Sequence, residues 1–383
     1  MRTVESICHN GNDIEMKGLE LAKRFNFECV QPIITENLSQ LNDRYAAGLI
    51  GYGSDVLGND DDLSRDHEWG LRLILFLNEA DHSHSSDRLD KILNQALPQT
   101  FLGFPTRFKR EGTYGNSSVM TMSAEGRHHI VITTPDRFLF RTLGWTTVPQ
   151  HEMAWLCIPE QKLLEFTSGA IFTDPVGDIT LYRKQLAYFP KVVWQYKLAY
   201  LFESLGWELG LIALCGRRGD TLSMHINTAV TIERIMKLAF LLLRRYCPGY
   251  KKWLQREFAK LPDTATKIEP LLHQAFETSS YQEITRCVNE ALEILYQKLL
   301  SLDEIEVDLP AQLPRIDDRG TIIIDTQHVS SCLLDALPSP LRALRIHNAP
   351  FGAIDQWVTN EDILLSAEHV HSLQSVYSVT CQR

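Results

Sequence analysis

The sequence predicts an α+β fold: a mixed-sheet N-terminal domain, an α-helical bundle domain and a small C-terminal segment. Three observations predict it. Short apolar runs alternate with helical periodicity up to about residue 150. From there to residue 302 the pattern is helical almost without a break. Residues 301–318, with Pro310, Pro314 and many acids, then interrupt it. The expected domains are 1–150, with a boundary reaching as far as 190, then 151–302, then 303–383 as an α/β segment packing on the others. A chain of 383 residues is long enough for two or three domains of ~150 residues each.

Residues 15–30 carry Met16, Leu19, Leu21, Ala22, Phe25 and Val30 at helical spacing, and Pro32 interrupts or kinks that helix. Ala46–Tyr52 reads as a short strand ending in glycine-rich sequence. Leu71–Leu77 is a near-continuous apolar run, the mark of a central strand covered on both faces. Ser83–Ser86 reads as a polar loop and Asp87–Leu97 as an amphipathic helix. Residues 103–127, rich in Gly, Ser, Thr and Arg, read as a long loop or insertion. His128–Thr134 is a third strand, and Pro135 opens a helix at proline's favoured first position.

Helices are expected at 161–168, 179–189, 191–214, 221–246, 253–261, 268–278 and 281–300. The clearest is 221–246, with Leu222, Ile226, Ala229, Met236, Phe240 and Leu243 on one face. A strand at 321–325, a helix at 327–336 and a compact tail at 353–365 complete the chain.

Acids outnumber bases 48 to 38, for a net charge of -10. That argues against long nucleic acid as a main partner, because neutralising phosphate needs a positive face. The eight cysteines are scattered, with no CxxC and no zinc-ribbon spacing, as expected of reduced, buried thiols. Acids interrupt the first residues where a signal peptide needs an apolar core. The aliphatic stretch Leu238–Leu243 ends at Arg244 and Arg245, far short of the ~20 residues a membrane span needs. A cytoplasmic protein with no membrane partner is expected.

The chemistry concentrates at Gly51–Trp69, which holds Gly51, Gly53 and Gly58 and the acids Asp55, Asp60, Asp61, Asp62, Asp66 and Glu68. A calcium loop is excluded: the twelve positions from Asp55 to Asp66 have Asp60 where glycine is required and Asp66 where glutamate is required. A Walker A loop is excluded because its lysine is missing. A third reading fits. Gly53-Ser54 follows one strand, and Asp66-x-Glu68 is expected to open the next. Alternate strand residues share a face, so the two carboxylates point together and can hold Mg²⁺. The glycine turn lets backbone amides approach phosphates.

This arrangement resembles the DNA polymerase β-type nucleotidyltransferase superfamily, which includes aminoglycoside, lincosamide and minimal nucleotidyltransferases. The strings GLIGYGSDVLGNDDDLSRDHEWG, RRYCPGYKKW and GAIDQWVTNEDIL look like a prokaryotic family of unknown function within it. The resemblance spans nearly the whole chain. It implies Mg-dependent transfer of a nucleoside monophosphate from a nucleoside triphosphate to a hydroxyl or amine, releasing pyrophosphate. It implies that Gly53 and Ser54 hold phosphates and that Asp66 and Glu68 bind Mg²⁺ or Mn²⁺ and are catalytic. Arg65 or Arg72 would stabilise triphosphate charge or tether the carboxylates, with Asp55 capping the helix start or supporting Ser54. Lys251 and Lys252 would contact the nucleotide from the helical domain, with an aromatic neighbour stacking on the base. The acceptor is unspecified: a small molecule, a protein or tRNA.

One departure matters. The superfamily normally takes a third carboxylate from a later strand, and His128–Thr134 contains none. Glu125 and Asp136 flank it. Histidine is a residue type suited to a substitute base, which His129 would supply, although a strand histidine is the simpler account. The alternative function is therefore a catalytically impaired nucleotide-binding, sensing or partner-binding protein. A further reading places ribonuclease chemistry on Arg218 and His225, with Gly219 suggesting that Arg218 precedes its helix. The histidines at 82, 84 and 128 have no partner set at metal-ligand spacing.

Overall fold

The structure, a computed structural model, describes residues 16–65, 68–114 and 117–380. The chain divides into two compact units. Unit 1 runs to Thr142 and takes in Glu165–Lys184; unit 2 comprises Leu143–Leu164 and Gln185 onward. The boundary expected at residue 150 thus becomes an excursion. The chain leaves unit 1, contributes a segment to unit 2, and returns to add a strand.

Unit 1 begins with α1 (Gly18–Phe25), which passes through a π-helical turn at Asn26–Val30 into α2 (Gln31–Asn37). Pro32 does not end the helix. It sits at the start of α2, directly after the π-helical turn that interrupts the regular α pattern, as the sequence predicted. Next come β1 (Tyr45–Leu49) and β2 (Arg72–Leu77). Then α3 (Glu79–Ala96) starts earlier than expected, because the Asn78 side chain caps it by accepting the Asp81 N–H. His82 and His84 therefore lie on a helix and not in a loop.

Short strands β3 (Thr100–Phe101) and β4 (Phe104–Pro105) precede a hairpin of β5 (Arg107–Tyr114) and β6 (Ser117–Ser123). This hairpin replaces the expected loop at 103–127. Its β5 strand buries Phe108 completely, and the β-prone run Ser117–Ser123 forms its partner. β7 (His129–Thr133) and α4 (Pro135–Leu143) follow as expected.

The central sheet has the order β7-β2-β1-β8, where β8 (Ala170–Thr173) comes from the returning segment. β1 pairs antiparallel with β2 and β8, and β2 pairs parallel with β7. All residues of β1 and β2 are buried, as the apolar run of β2 predicted. Leu21, Phe25 and Ile34 pack on one side with Leu73, Leu75, Leu89 and Leu93. Gly48 is required where β8 crosses: a Cβ there would lie 2.6 Å from the Ala170 carbonyl oxygen.

Unit 2 is helical. α5 (Glu152–Leu156) belongs to it, whereas α6 (Glu160–Thr167) and α7 (Asp178–Gln185) straddle the division. Its core is α8 (Lys191–Arg218) and α9 (Thr221–Leu242), packed with α10 (Lys251–Phe258), α11 (Thr264–Glu277) and α12 (Tyr281–Leu300). By length and composition α8 would pass as a membrane-crossing helix. In the fold half of its apolar window is buried, with α9 and α13 (Thr326–Asp335) packed against it.

The segment 303–383 is part of unit 2. It includes a hairpin of β9 (Arg315–Asp318) and β10 (Thr321–Ile324), then α13, α14 (Ser339–Ala343) and α15 (Ile354–Trp357). Three consecutive α8 residues tie it down. Gln195 donates to the Leu333 carbonyl, Tyr196 to that of Leu344, and Lys197 to the Asp355 carboxylate. Arg218 ends α8 and precedes α9, as Gly219 suggested. No hydrogen bond or ion pair joins it to His225 among the described residues, so the ribonuclease reading finds no geometry.

Candidate nucleotide-binding loop

The loop between β1 and β2 is built by local turns and fixed from beneath by charge. Gly51 donates its N–H to the Glu165 carbonyl as the chain leaves β1. The amides of Leu57, Gly58 and Asn59 then turn back on the carbonyls of Gly53, Asp55 and Ser54. The Gly53 and Ser54 amides take no part in these bonds. Gly53 has φ +131°, a conformation that a side chain resists. A Cβ there would also lie 2.3 Å from Arg72 Nη2 and 2.4 Å from Asp55 Oδ1.

Those two groups form the clamp. Arg72 Nη2 donates to Asp55 Oδ1 at 2.6 Å and to the Tyr52 carbonyl at 3.2 Å. Both side chains are almost fully buried. Burial pushes the Asp55 carboxyl up, with Arg72 opposing; Arg72 itself stays firmly charged. Of the two roles expected for Arg72, the geometry supports the tether. Its partner is Asp55, and its burial removes it from direct contact with a triphosphate. Asp60 is a second anchor: Oδ2 accepts the Gly18 N–H at 2.8 Å and the Trp69 indole N–H at 3.0 Å. The Ser54 hydroxyl donates to the Ser64 carbonyl at 3.2 Å. Arg65 donates to the Met16 carbonyl and lies 4.7 Å over the Trp69 ring, so it packs along the loop.

Glu68 is not on a strand. It has φ +52° and precedes β2. It docks on β6 at two points, donating its N–H to the Met120 carbonyl and accepting the Met120 N–H at Oε1. Its Oε2 accepts the Tyr52 hydroxyl at 3.0 Å and lies 3.1 Å from His129 Nε2. Burial would raise the Glu68 carboxyl, but His129, Arg72 and Tyr52 outweigh it and hold it below its usual range. Asp66, the other expected ligand, lies outside the described residues, so the geometry of the acid pair rests on Glu68. Among the described residues no three His, Cys, Asp or Glu side chains converge as a metal set.

β7 carries no acid. In register, His129 sits opposite Arg72, with its ring 4.8 Å from that of Phe108. Asp136 accepts the Tyr182 hydroxyl, and Glu125 is exposed. Sequence reasoning missed Tyr52 as the residue that steadies Glu68. Its place beside Gly51 and Gly53 was the available signal.

Lys251 and Lys252 belong to unit 2. Lys251, largely exposed, pairs with Glu233 at 2.9 Å, and Lys252 lies 5.1 Å over the Trp253 ring. The aromatic partner proposed for a base is not Tyr246, which is buried and donates its hydroxyl to the Leu186 carbonyl. Arg244 lies 3.9 Å over the Trp194 ring and serves packing.

A model of a domain of unknown function, DUF4037, matches residues 155–254. A solved structure, a nucleotidyltransferase-like protein from Exiguobacterium sibiricum 255-15, aligns with 70% of this chain and 75% of its own. The identity is 12% and the TM-score 0.31, an overlap too loose to assign a shared fold. No curated protein is significantly similar to the chain.

Proposed function

We propose that the chain binds a nucleoside triphosphate with Mg²⁺ at the Gly51–Glu68 loop and transfers its nucleoside monophosphate to a hydroxyl or amine acceptor, releasing pyrophosphate. The observation that supports this most directly is the loop after β1. Gly53 holds a left-handed conformation over the buried Asp55–Arg72 clamp, with its amide and that of Ser54 outside the turns formed among the described residues. Amides fixed in such a turn favour phosphate oxygens, because no reorganisation is needed on binding. Glu68 stands at the same loop, fixed by Tyr52 and Met120. In this reading Asp66 and Glu68 hold the metal, which neutralises triphosphate charge when bound. Arg65 is the further candidate triphosphate contact. The acceptor is a small molecule, a protein or tRNA, met in the cytoplasm.

A second reading has its own observation. β7 offers His129 and no carboxylate beside Glu68, so a nucleotide sensor without transfer is the alternative. Titration calorimetry with non-hydrolysable ATP, GTP, CTP and UTP analogues tests both. Mg-dependent binding that is lost in Asp66→Ala/Glu68→Ala supports the site. Labelled α-phosphate appearing in a cell-extract acceptor then supports transfer over sensing. No binding of any triphosphate by the unaltered protein sinks both.

A further inference from the structure

Helix α8 leaves one stripe of its surface without a partner. Trp207, Leu211, Leu214 and Arg218 follow one another at spacings of four, three and four residues, which puts them on a single face. Trp207 is 65% exposed and Leu211 42%. Leu214 is half-buried and Arg218 exposed. After Gly219 the chain turns back into α9, which packs along α8. At this tip Leu222 and Ile226 are 75% and 58% exposed. The apolar face of α9 therefore begins uncovered and is buried only further along, at Met236 and Phe240. Single exposed leucines are ordinary. A tryptophan and three aliphatic side chains exposed on one helix pair make a surface of the kind that another chain buries.

The stripe on α8 carries opposite charges at its two ends. Glu203, one turn before Trp207, accepts the Trp207 indole N–H at 3.3 Å and the Gln327 side-chain amide at 2.7 Å, so its carboxylate is held in place. Arg218, at the far end, makes no ion pair among the described residues. The two charges are separated by a helical rise of roughly 22 Å. Midway lies Gly210, where a Cβ would meet nothing within 4 Å. A glycine facing open space lets another backbone come close. The charges flanking the stripe are already engaged: Glu208 pairs with Arg234 at 2.7 Å, and Arg217 donates to the Thr321 hydroxyl.

We propose that this face is the contact between two copies of the chain, with α8 packed antiparallel on α8 about a two-fold axis beside Gly210 and Leu211. Turning the stripe end for end brings Glu203 onto Arg218 of the second copy, Trp207 onto Leu214, and Leu211 onto Gly210. Each contact recurs in the opposite direction, so one surface supplies both halves of the interface. A parallel pairing would instead set Glu203 on Glu203 and Arg218 on Arg218, and like charges across an interface oppose it. Leu222 and Ile226 extend the apolar area at each end of the seam. The contact involves unit 2 alone and does not depend on the nucleotide reading.

The test is sedimentation velocity of the full chain from low to high micromolar concentration. The expected result is a reversible shift to the mass of two chains. Leu211→Glu sets two carboxylates at the axis and is expected to leave a monomer at every concentration. The position is exposed, so an unchanged melting temperature is expected and checks that the fold is kept. Arg218→Glu is expected to weaken the dimer about tenfold or more, since two ion pairs become two repulsions. Exchanging the ends, in Glu203→Arg/Arg218→Glu, is expected to recover most of that loss, which only the antiparallel pairing predicts. An unaltered chain that stays monomeric overturns the proposal, including one that instead binds vesicles of anionic lipid, which would assign the face to a membrane surface. A dimer that persists in Leu211→Glu, or a double variant no better than Arg218→Glu alone, overturns it as well.

Discussion

Replacing Asp55 by alanine tests the charge clamp directly. The pair is 2.6 Å apart and nearly inaccessible to water. At an effective dielectric constant of about 20, two unit charges at that distance attract by roughly 6 kcal/mol. Taking each ion out of water costs several kcal/mol, so the intact pair comes close to breaking even. Removing one partner does not: Arg72 keeps its desolvation cost and loses its compensation, a net penalty of about 3–5 kcal/mol. Native-state hydrogen exchange reads this unit by unit. Amides of β1 and β2 should exchange faster by roughly two to four powers of ten in Asp55→Ala, at about 1.4 kcal/mol per tenfold change. Amides of α8 and α9 serve as the internal reference. The double variant Asp55→Ala/Arg72→Met removes both charges and should recover most of the loss. A penalty below about 1 kcal/mol for the single variant, or a double variant no better than the single, would refute the reasoning.

Gly53→Ala should weaken triphosphate binding at least about tenfold by calorimetry, because its Cβ collides with Arg72 and Asp55 in a strained conformation. Unchanged affinity would remove the loop as the phosphate site. Glu68→Gln preserves shape but removes charge, so nucleotide binding should lose its Mg²⁺ dependence; a dependence that persists would count against the carboxylate. His128 titrates with a predictable sign. Burial lowers its pKa, with Asp90 opposing, and its Nδ1 accepts the Ile130 N–H at 3.2 Å. The unfolded chain therefore binds the proton more readily. Stability is full above the unfolded value of about 6.5 and is lost as pH falls from there toward the folded value. Urea titrations across that range should show the loss, and His128→Asn should flatten it.

Much of unit 1 was legible because its signals are local. The buried β2 run, the β7 strand and the glycine turn each declare themselves within a few residues. What escaped depends on distant partners. Ala170–Thr173 is too short to announce a strand, and only the exposed edge of β1 makes it one. The hairpin at 107–123 was hidden by its polar composition, although Phe108 anchors it. Glu68 was expected on a strand because acid-x-acid spacing suits one. Its hydrogen bonds to Met120 instead select a left-handed backbone outside the strand. The buried Lys197–Asp355 pair joins distant parts of the chain, which no local pattern encodes. Its one trace was Lys197, a lone cation in the apolar run of α8.

The returning strand β8 has a consequence for how this protein can be made. β1 lies between β2 and β8, so a nascent chain that has emerged only as far as residue 150 has one whole side of β1 unpaired. Unpaired edges template association between chains. Completion of the first unit must wait for synthesis of Ala170–Thr173, by which time 143–164 has also emerged. A fragment cut at residue 150 should therefore aggregate. One ending after Lys184 carries every strand of the sheet, and a soluble first unit should be sought there.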